Sequence, residues 1–160
     1  MNDRAVMQIA DLLVPESVFP ALKARNKKQL FQELSGRAAS VVHLPEKRIF
    51  ETLNEREGLG TTGVGQGIAI PHGRLPEIEK ISGLFARLER PVEYAAVDGQ
   101  PVDLVFMLLA PEGAGADHLK ALARVSRLLR NQTVCDKLRA AVSGEEMFSI
   151  LTEPVATVKA

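Results

Sequence analysis

The sharpest local feature of this sequence is Gly60-Thr61-Thr62-Gly63-Val64-Gly65-Gln66-Gly67-Ile68-Ala69-Ile70-Pro71-His72-Gly73-Arg74. Its glycines allow the backbone to approach a ligand and expose amide donors, which suits an anion; equally, they suit turns that need unusual backbone angles. A nucleotide P-loop is excluded. Gly60 and Gly65 have the right gap, but Gln66 stands where the phosphate-binding lysine belongs, and no Ser or Thr follows for magnesium. The dinucleotide fingerprint fails too, because Ile68 occupies the place of its third glycine and the chain continues as a strand where that motif needs a helix. His72 lies between Pro71 and Gly73 on a constrained backbone. With an unperturbed pKa of about 6.5, a neutral imidazole is available near pH 7 to attack phosphorus. The alternative is an ordinary surface polar residue.

Two companions stand out. His118 begins a helical stripe continued by Leu122, Val125 and Leu129, which puts it on the inward side of a first turn. It reads either as a satisfied core or capping histidine, or as part of a phosphoryl site at a helix N-terminus with free amides. Arg56, near the end of a helix from Pro45 to Glu57, either complements the helix dipole or offers its guanidinium fork to phosphoryl oxygens. The three histidines, at 43, 72 and 118, include no close ligand pair, and Cys135 is the single cysteine. Neither a metal nor another cofactor is expected, and Cys135 reads as a partly buried small hydrophobe in a helix from Thr133 to Val142.

Several elements must position these residues. Asn26 can cap a helix with Leu30, Phe31, Leu34, Ala38 and Val41 or Val42 on one face. Pro45 opens a second helix with Ile49 and Leu53 inward, and Gly58 and Gly60 stop it. Ile68 to Ile70 reads as a short strand that Pro71 ends, leaving His72 in a loop. Ser82 to Leu88 and Val102 to Ala110 are the next strands, with Asp98-Gly99 as a turn between them. The second is apolar at consecutive positions, as in a strand covered on both faces. A helix from about Asp117, a shorter one around Cys135, and a last one from Glu145 to Leu151 complete the order. Residues 116 to 140 carry six Lys or Arg against Asp117 and Asp136, which reads as a solvated helix face. The fold class expected is α/β: a single domain over residues 1–160, with a core of about 8–152 and a loose tail after Pro154.

The 160 residues are 46% hydrophobic and 25% charged, as in a globular domain with an adequate core, and the formal net charge is zero. Nucleic acid and anionic membrane are poor partners for such a balance. The longest apolar run, Leu104 to Ala110, is too short to span a bilayer, which needs about 20 residues. No secretory signal is evident at the start, so a cytoplasmic protein without membrane insertion is expected.

The string Arg56-Glu57, Leu59-Gly60-Thr61-Thr62-Gly63 and Gly67-Ile68-Ala69-Ile70-Pro71-His72-Gly73 resembles the enzyme IIA domains of the mannitol, fructose and nitrogen-regulatory type, in the bacterial phosphoenolpyruvate-dependent phosphotransferase system. The likeness extends to Ile9-Ala10-Asp11-Leu12-Leu13, to Val97-Asp98-Gly99 with Pro101-Val102-Asp103-Leu104-Val105-Phe106, and to His118-Leu119. Gly63-Val64-Gly65-Gln66-Gly67 fits the nitrogen-regulatory branch. The resemblance implies a mixed central β-sheet with helices on both faces. It implies that His72 accepts a phosphoryl group on Nε2 from an HPr-like phosphocarrier (NPr), itself charged by an enzyme I-type protein, with His118 and Arg56 flanking the phosphorylation site. It implies regulation of nitrogen, carbon and potassium metabolism through target proteins such as sensor kinases or potassium transporters. Two alternatives stay open: a fructose- or mannitol-specific IIA that passes phosphate to a IIB domain, and an interaction module with a vestigial site. Arg74 receives no role.

Overall fold

The apolar run from Leu104 to Ala110 becomes the middle of a sheet. In the computed structural model, which describes residues 8–153, the strands are β1 (Val18–Leu22), β2 (Gly63–Gly65), β3 (Ile68–Ala69), β4 (His72–Leu75), β5 (Ser82–Val92) and β6 (Val102–Pro111). The helices are α1 (Lys27–Val42), α2 (Glu46–Gly58), α3 (Ala116–Arg130), α4 (Gln132–Ala140) and α5 (Gly144–Thr152). The tail expected to be loose after Pro154 lies outside the described residues. Among those described, no helix is long and apolar enough to cross a membrane.

The sheet is mixed, in the order β1-β5-β6-β3-β2, with β4 also paired to β6. Strand β5 runs antiparallel to β6, whereas β3 and β4 run parallel to it. Along β6, Val105, Met107 and Leu109 enter a core with Leu30, Phe31, Leu34, Ile49 and Leu53 from α1 and α2. Leu104, Phe106 and Leu108 enter the opposite core, with Val125 and Leu129 of α3, Leu138 of α4 and Met147 of α5. Successive side chains of a strand point to opposite faces, so a strand covered on both sides must be apolar at every position.

Local signals set the helix ends. Asn26 Oδ1 accepts from the Gln29 amide at 2.8 Å, a cap worth about 1 kcal/mol. Asn131 and Ser143 cap α4 and α5 in the same way. Strands β1, β2 and β4 are additions to the sequence-based expectation. The glycine-rich stretch is a hairpin: Gly65, Gln66 and Gly67 turn β2 into β3 with φ of 108°, 58° and 84°, the left-handed region that favours glycine. The Gln66 amide donates to Asp98 Oδ2 at 2.9 Å, so a carboxylate of the Asp98-Gly99 turn fills the place an anion would take. Turn geometry therefore accounts for these glycines. Arg139 also departs from the solvated face expected of it, since it grips Asp103 through Nε and Nη2 at 2.8 and 2.9 Å and the Gln66 carbonyl at 3.0 Å.

Candidate functional site

Ile68 faces Leu104 and His72 faces Leu108, so β3 and β4 share one offset to β6 (104 − 68 and 108 − 72, both 36). They continue one line beside β6, interrupted at Ile70-Pro71: β3 is flanked on its other side by β2, whereas β4 pairs with β6 alone. Pro71 has no N–H to give to a ladder, and in the gap the Ile70 carbonyl turns to the His72 ring, 2.8 Å from Nδ1. A carbonyl only accepts, so His72 carries its proton on Nδ1 and keeps a free lone pair on Nε2. His72 thus opens a strand instead of lying in a loop, and it is half-buried. Burial pushes its pKa below the ordinary value. The bond to Ile70 O opposes this, Arg56 pushes down again, Glu57 up and Arg74 down in decreasing measure, and the net shift below the ordinary value favours the neutral ring at pH 7.

His72 and Arg74 are two residues apart on β4 and share a face. Across from them stands His118, in the first turn of α3 and 4% exposed. The two imidazoles have centroids 5.5 Å apart, with planes at 75°. Arg74 Nε donates to His118 Nδ1 at 3.0 Å. An Nδ1 that accepts is unprotonated, so neutral His118 holds its proton on Nε2, which is buried and has no partner. Burial, then the charges of His72 and Arg74, lower the pKa of His118 to about 4. The free amides expected at this helix N-terminus are occupied: Asp117 N and His118 N bond to Ala114 O and Gly115 O at 3.1 and 3.2 Å. His118 contributes its side chain to the site, and these two amides do not contribute.

Arg56 arrives from α2. Gly73 is the close-approach point: a Cβ there would run into Thr52 Cγ2, so the absence of a side chain lets α2 lie against β4. One turn beyond Thr52, Arg56 reaches the same cleft, where Nη1 donates to Gly60 O at 2.9 Å. Its neighbour Glu57 anchors the helix end, bonding to Lys27 Nζ at 2.7 Å and to the Thr62 amide at 3.0 Å, with Thr62 Oγ1 and Tyr94 OH beside it. Burial raises the Glu57 carboxyl, but the bonds from Lys27 and Thr62 outweigh it and the net shift is downward. Burial likewise drives the Tyr94 phenol far above its usual range.

His72, His118, Arg56 and Arg74 line one open cleft of about 620 Å³. Leu59 and Leu119, 83% and 64% exposed, stand on its rim. Gathered at the cleft are the His72 imidazole with its lone pair, the Arg56 guanidinium, and the Arg74–His118 pair, whose imidazole Nε2–H is buried and unpartnered. That combination suits a tetrahedral dianion and its transfer, which depends on in-line positioning and charge stabilisation more than on covalent machinery. Among the described residues, no group of three or more His, Cys, Asp or Glu is placed to hold a metal ion. The sequence-based reading named three of these four side chains and missed Arg74. The two-residue period of a strand starting at His72 puts Arg74 on its face, but the strand itself is defined by its pairing with β6 and not by a local signal.

Comparison with known proteins agrees with this architecture. The model of the family "Phosphoenolpyruvate-dependent sugar phosphotransferase system, EIIA 2" matches residues 11–153. A nitrogen regulatory protein of Bradyrhizobium diazoefficiens is 59% identical over 151 residues, which is 94% of this chain and 99% of that protein. One from Escherichia coli K12 is 39% identical over 157 residues, covering 98% and 96%. Among solved structures, the nitrogen regulatory protein IIA-Ntr of Neisseria meningitidis superposes with a TM-score of 0.86 at 37% identity, over 90% of this chain and 99% of that one. With the match running through every element that builds the cleft, the chain belongs to the EIIA type 2 family of the phosphoenolpyruvate-dependent sugar phosphotransferase system and is a phosphotransferase component of it.

Proposed function

We propose that this chain is a phosphocarrier that accepts a phosphoryl group on His72 Nε2. The donor is the phosphohistidine of an HPr-like carrier, charged in turn by an enzyme I-type protein in the cytoplasm. The observation that carries this reading is the pair of opposed imidazoles: His72 holds a free lone pair on Nε2 because Ile70 O takes its Nδ1–H, and the neighbouring His118 holds a buried, unpartnered Nε2–H.

In the step, the His72 Nε2 lone pair forms a new N–P bond as the donor's N–P bond breaks, and that electron pair returns to the donor imidazole. No proton has to move. His72 keeps its Nδ1–H, and Ile70 O, already 2.8 Å away, stabilises the ring as it gains positive character. His118 Nε2–H satisfies its missing bond on a phosphoryl oxygen. Arg56 exchanges the neutral Gly60 carbonyl for a charged oxygen, and a hydrogen bond to an ionised acceptor is roughly twice as strong. The apolar rim at Leu59 and Leu119 supports docking of a protein donor and exclusion of water around the transfer.

The nitrogen regulatory relatives favour a role in nitrogen regulation; the family resemblance extends the proposal to carbon and potassium metabolism, through target proteins, such as sensor kinases or potassium transporters, that read the phosphorylation state. A phosphoryl group adds close to two negative charges at the cleft, enough to change which partner docks there. The test is incubation with phosphoenolpyruvate, enzyme I and the HPr-like carrier. Expected is the added mass of one phosphoryl group, acid-labile and base-stable, absent from His72→Ala. Full phosphorylation of His72→Ala defeats the proposal.

A further inference from the structure

Arg74 is an exposed residue on β4, yet its guanidinium does not simply lie in solvent: Nε donates to a buried histidine nitrogen at 3.0 Å. Two unlike patterns meet at His118. Nδ1 receives this donated proton, while Nε2, in a side chain only 4% exposed, has no partner at all. A neutral imidazole freely exchanges its proton between the two nitrogens unless an outside group fixes it, and the partner of one nitrogen decides the state of the other. Were His118 to carry its proton on Nδ1, that N–H would meet the Arg74 N–H head-on. Nε2 would then carry a lone pair, which repels an anion, where it now carries a proton to donate.

We propose that Arg74 is a positioning residue for phosphoryl transfer, holding His118 as the Nε2–H tautomer so that the cleft meets the phosphoryl oxygens with a donor. This deepens the reading of His72 as phosphoacceptor and rests on it. The arrangement also leaves a buried donor unsatisfied until the phosphoryl group arrives, so its cost falls on the empty state and is relieved in the phosphorylated one. A hydrogen bond to a charged oxygen is worth on the order of ten- to a hundred-fold in an equilibrium or a rate, which sets the effect expected when the tautomer is lost.

Protein labelled with ¹⁵N-histidine, in its unphosphorylated form at pH 7, reports tautomers through two-bond nitrogen–proton correlations. Expected for the wild type is His118 with Nδ1 unprotonated and Nε2 protonated, and for Arg74→Ala a shift toward a mixture. Phosphoryl acceptance from the HPr-like carrier slows at least tenfold in Arg74→Ala. In a His118→Ala background the same substitution costs almost nothing more, because there is no imidazole left to hold. An unchanged His118 tautomer in Arg74→Ala overturns the proposal, and so does an equal slowing in the presence and absence of His118, which would make Arg74 a direct phosphoryl contact. Far-UV circular dichroism of each variant verifies the fold. Failure of the underlying reading looks different: wild type itself would take no phosphate on His72, while the tautomer measurement would still report on Arg74.

Discussion

Placing a methyl group at Gly73 probes how α2 is seated. Gly73 pairs with Leu109 in the β4–β6 ladder, and the first atom an added Cβ meets is Thr52 Cγ2, well inside van der Waals contact. The φ of Gly73 is not in the left-handed region, so alanine meets no backbone penalty there. Thr52 is not free to swing its methyl aside, since Oγ1 donates to Arg48 O at 3.0 Å and rotation about χ1 gives up that bond. Either the bond is lost or α2 moves off the sheet, and overpacking of this kind costs about 1–3 kcal/mol. Thr52→Ser removes only the colliding methyl and keeps the hydroxyl, at a cost of about 0.8 kcal/mol for one buried methyl-sized group. The Gly73→Ala/Thr52→Ser pair should therefore be more stable than Gly73→Ala alone, with a coupling energy of at least about 1 kcal/mol in urea denaturation followed by circular dichroism. Arg56 sits one turn beyond Thr52, so phosphoryl acceptance should fall in Gly73→Ala and recover in the double variant. Strictly additive stabilities, or a slow double variant, would show that the α2–β4 contact does not set the guanidinium.

The two site histidines make stability pH-dependent with a defined sign. With His118 at about 4 in the fold and about 6.5 when unfolded, the unfolded chain binds more protons between those values, so stability rises with pH there. Lowering pH from 7 to 5 should cost about 2 kcal/mol through His118 alone, with His72 acting in the same direction, and the slope should flatten in His118→Gln. Glu57→Gln should lose about 2–3 kcal/mol in thermal or urea unfolding, because Lys27 is stranded and the Thr62 amide keeps a weaker acceptor; wild-type-like stability would sink this account. Cys135 is 4% exposed, its thiol donates to Leu129 O at 3.1 Å and burial raises its pKa, so a thiol reagent should react in denaturant and hardly at all with the native protein.

The parts of the fold that were legible in the sequence are those where one residue type has one strong local meaning. Asn26 caps α1 as expected, the continuous apolar run of β6 does lie between two helical layers, and the short strand at Ile68 does end before Pro71. What escaped depends on contacts distant in the chain. Strand β1 contains Pro20 and pairs with β5 more than sixty residues later, so nothing local in Val18–Leu22 marks it. Strand β4 was hidden by Pro71 and Gly73, which read locally as loop; its pairing is dictated by β6, and Gly73 is there for α2. The histidines and Arg56 could be named from residue chemistry and resemblance. Arg74 could not, because its meaning lies in a hydrogen bond to a helix that begins about forty residues further on.

The same distinction explains how two identical side chains acquire opposite tasks in one cleft. Neither His72 nor His118 is special as an imidazole: both are withdrawn from water, both lie near guanidinium groups, and both are neutral at pH 7. Each has one nitrogen engaged, and in both rings it is Nδ1. The difference is that His72 Nδ1 faces a carbonyl, which can only accept, while His118 Nδ1 faces an arginine N–H, which can only donate. From those two contacts alone it follows that one Nε2 is a lone pair and the other a proton donor. The Ile70 carbonyl is available because a proline interrupts the pairing along β6, and the arginine is in reach because that pairing resumes at once, presenting His72 and Arg74 on one face. A single break in β-pairing, placed at Pro71, thus supplies the nucleophile's partner directly and the donor's partner two residues later.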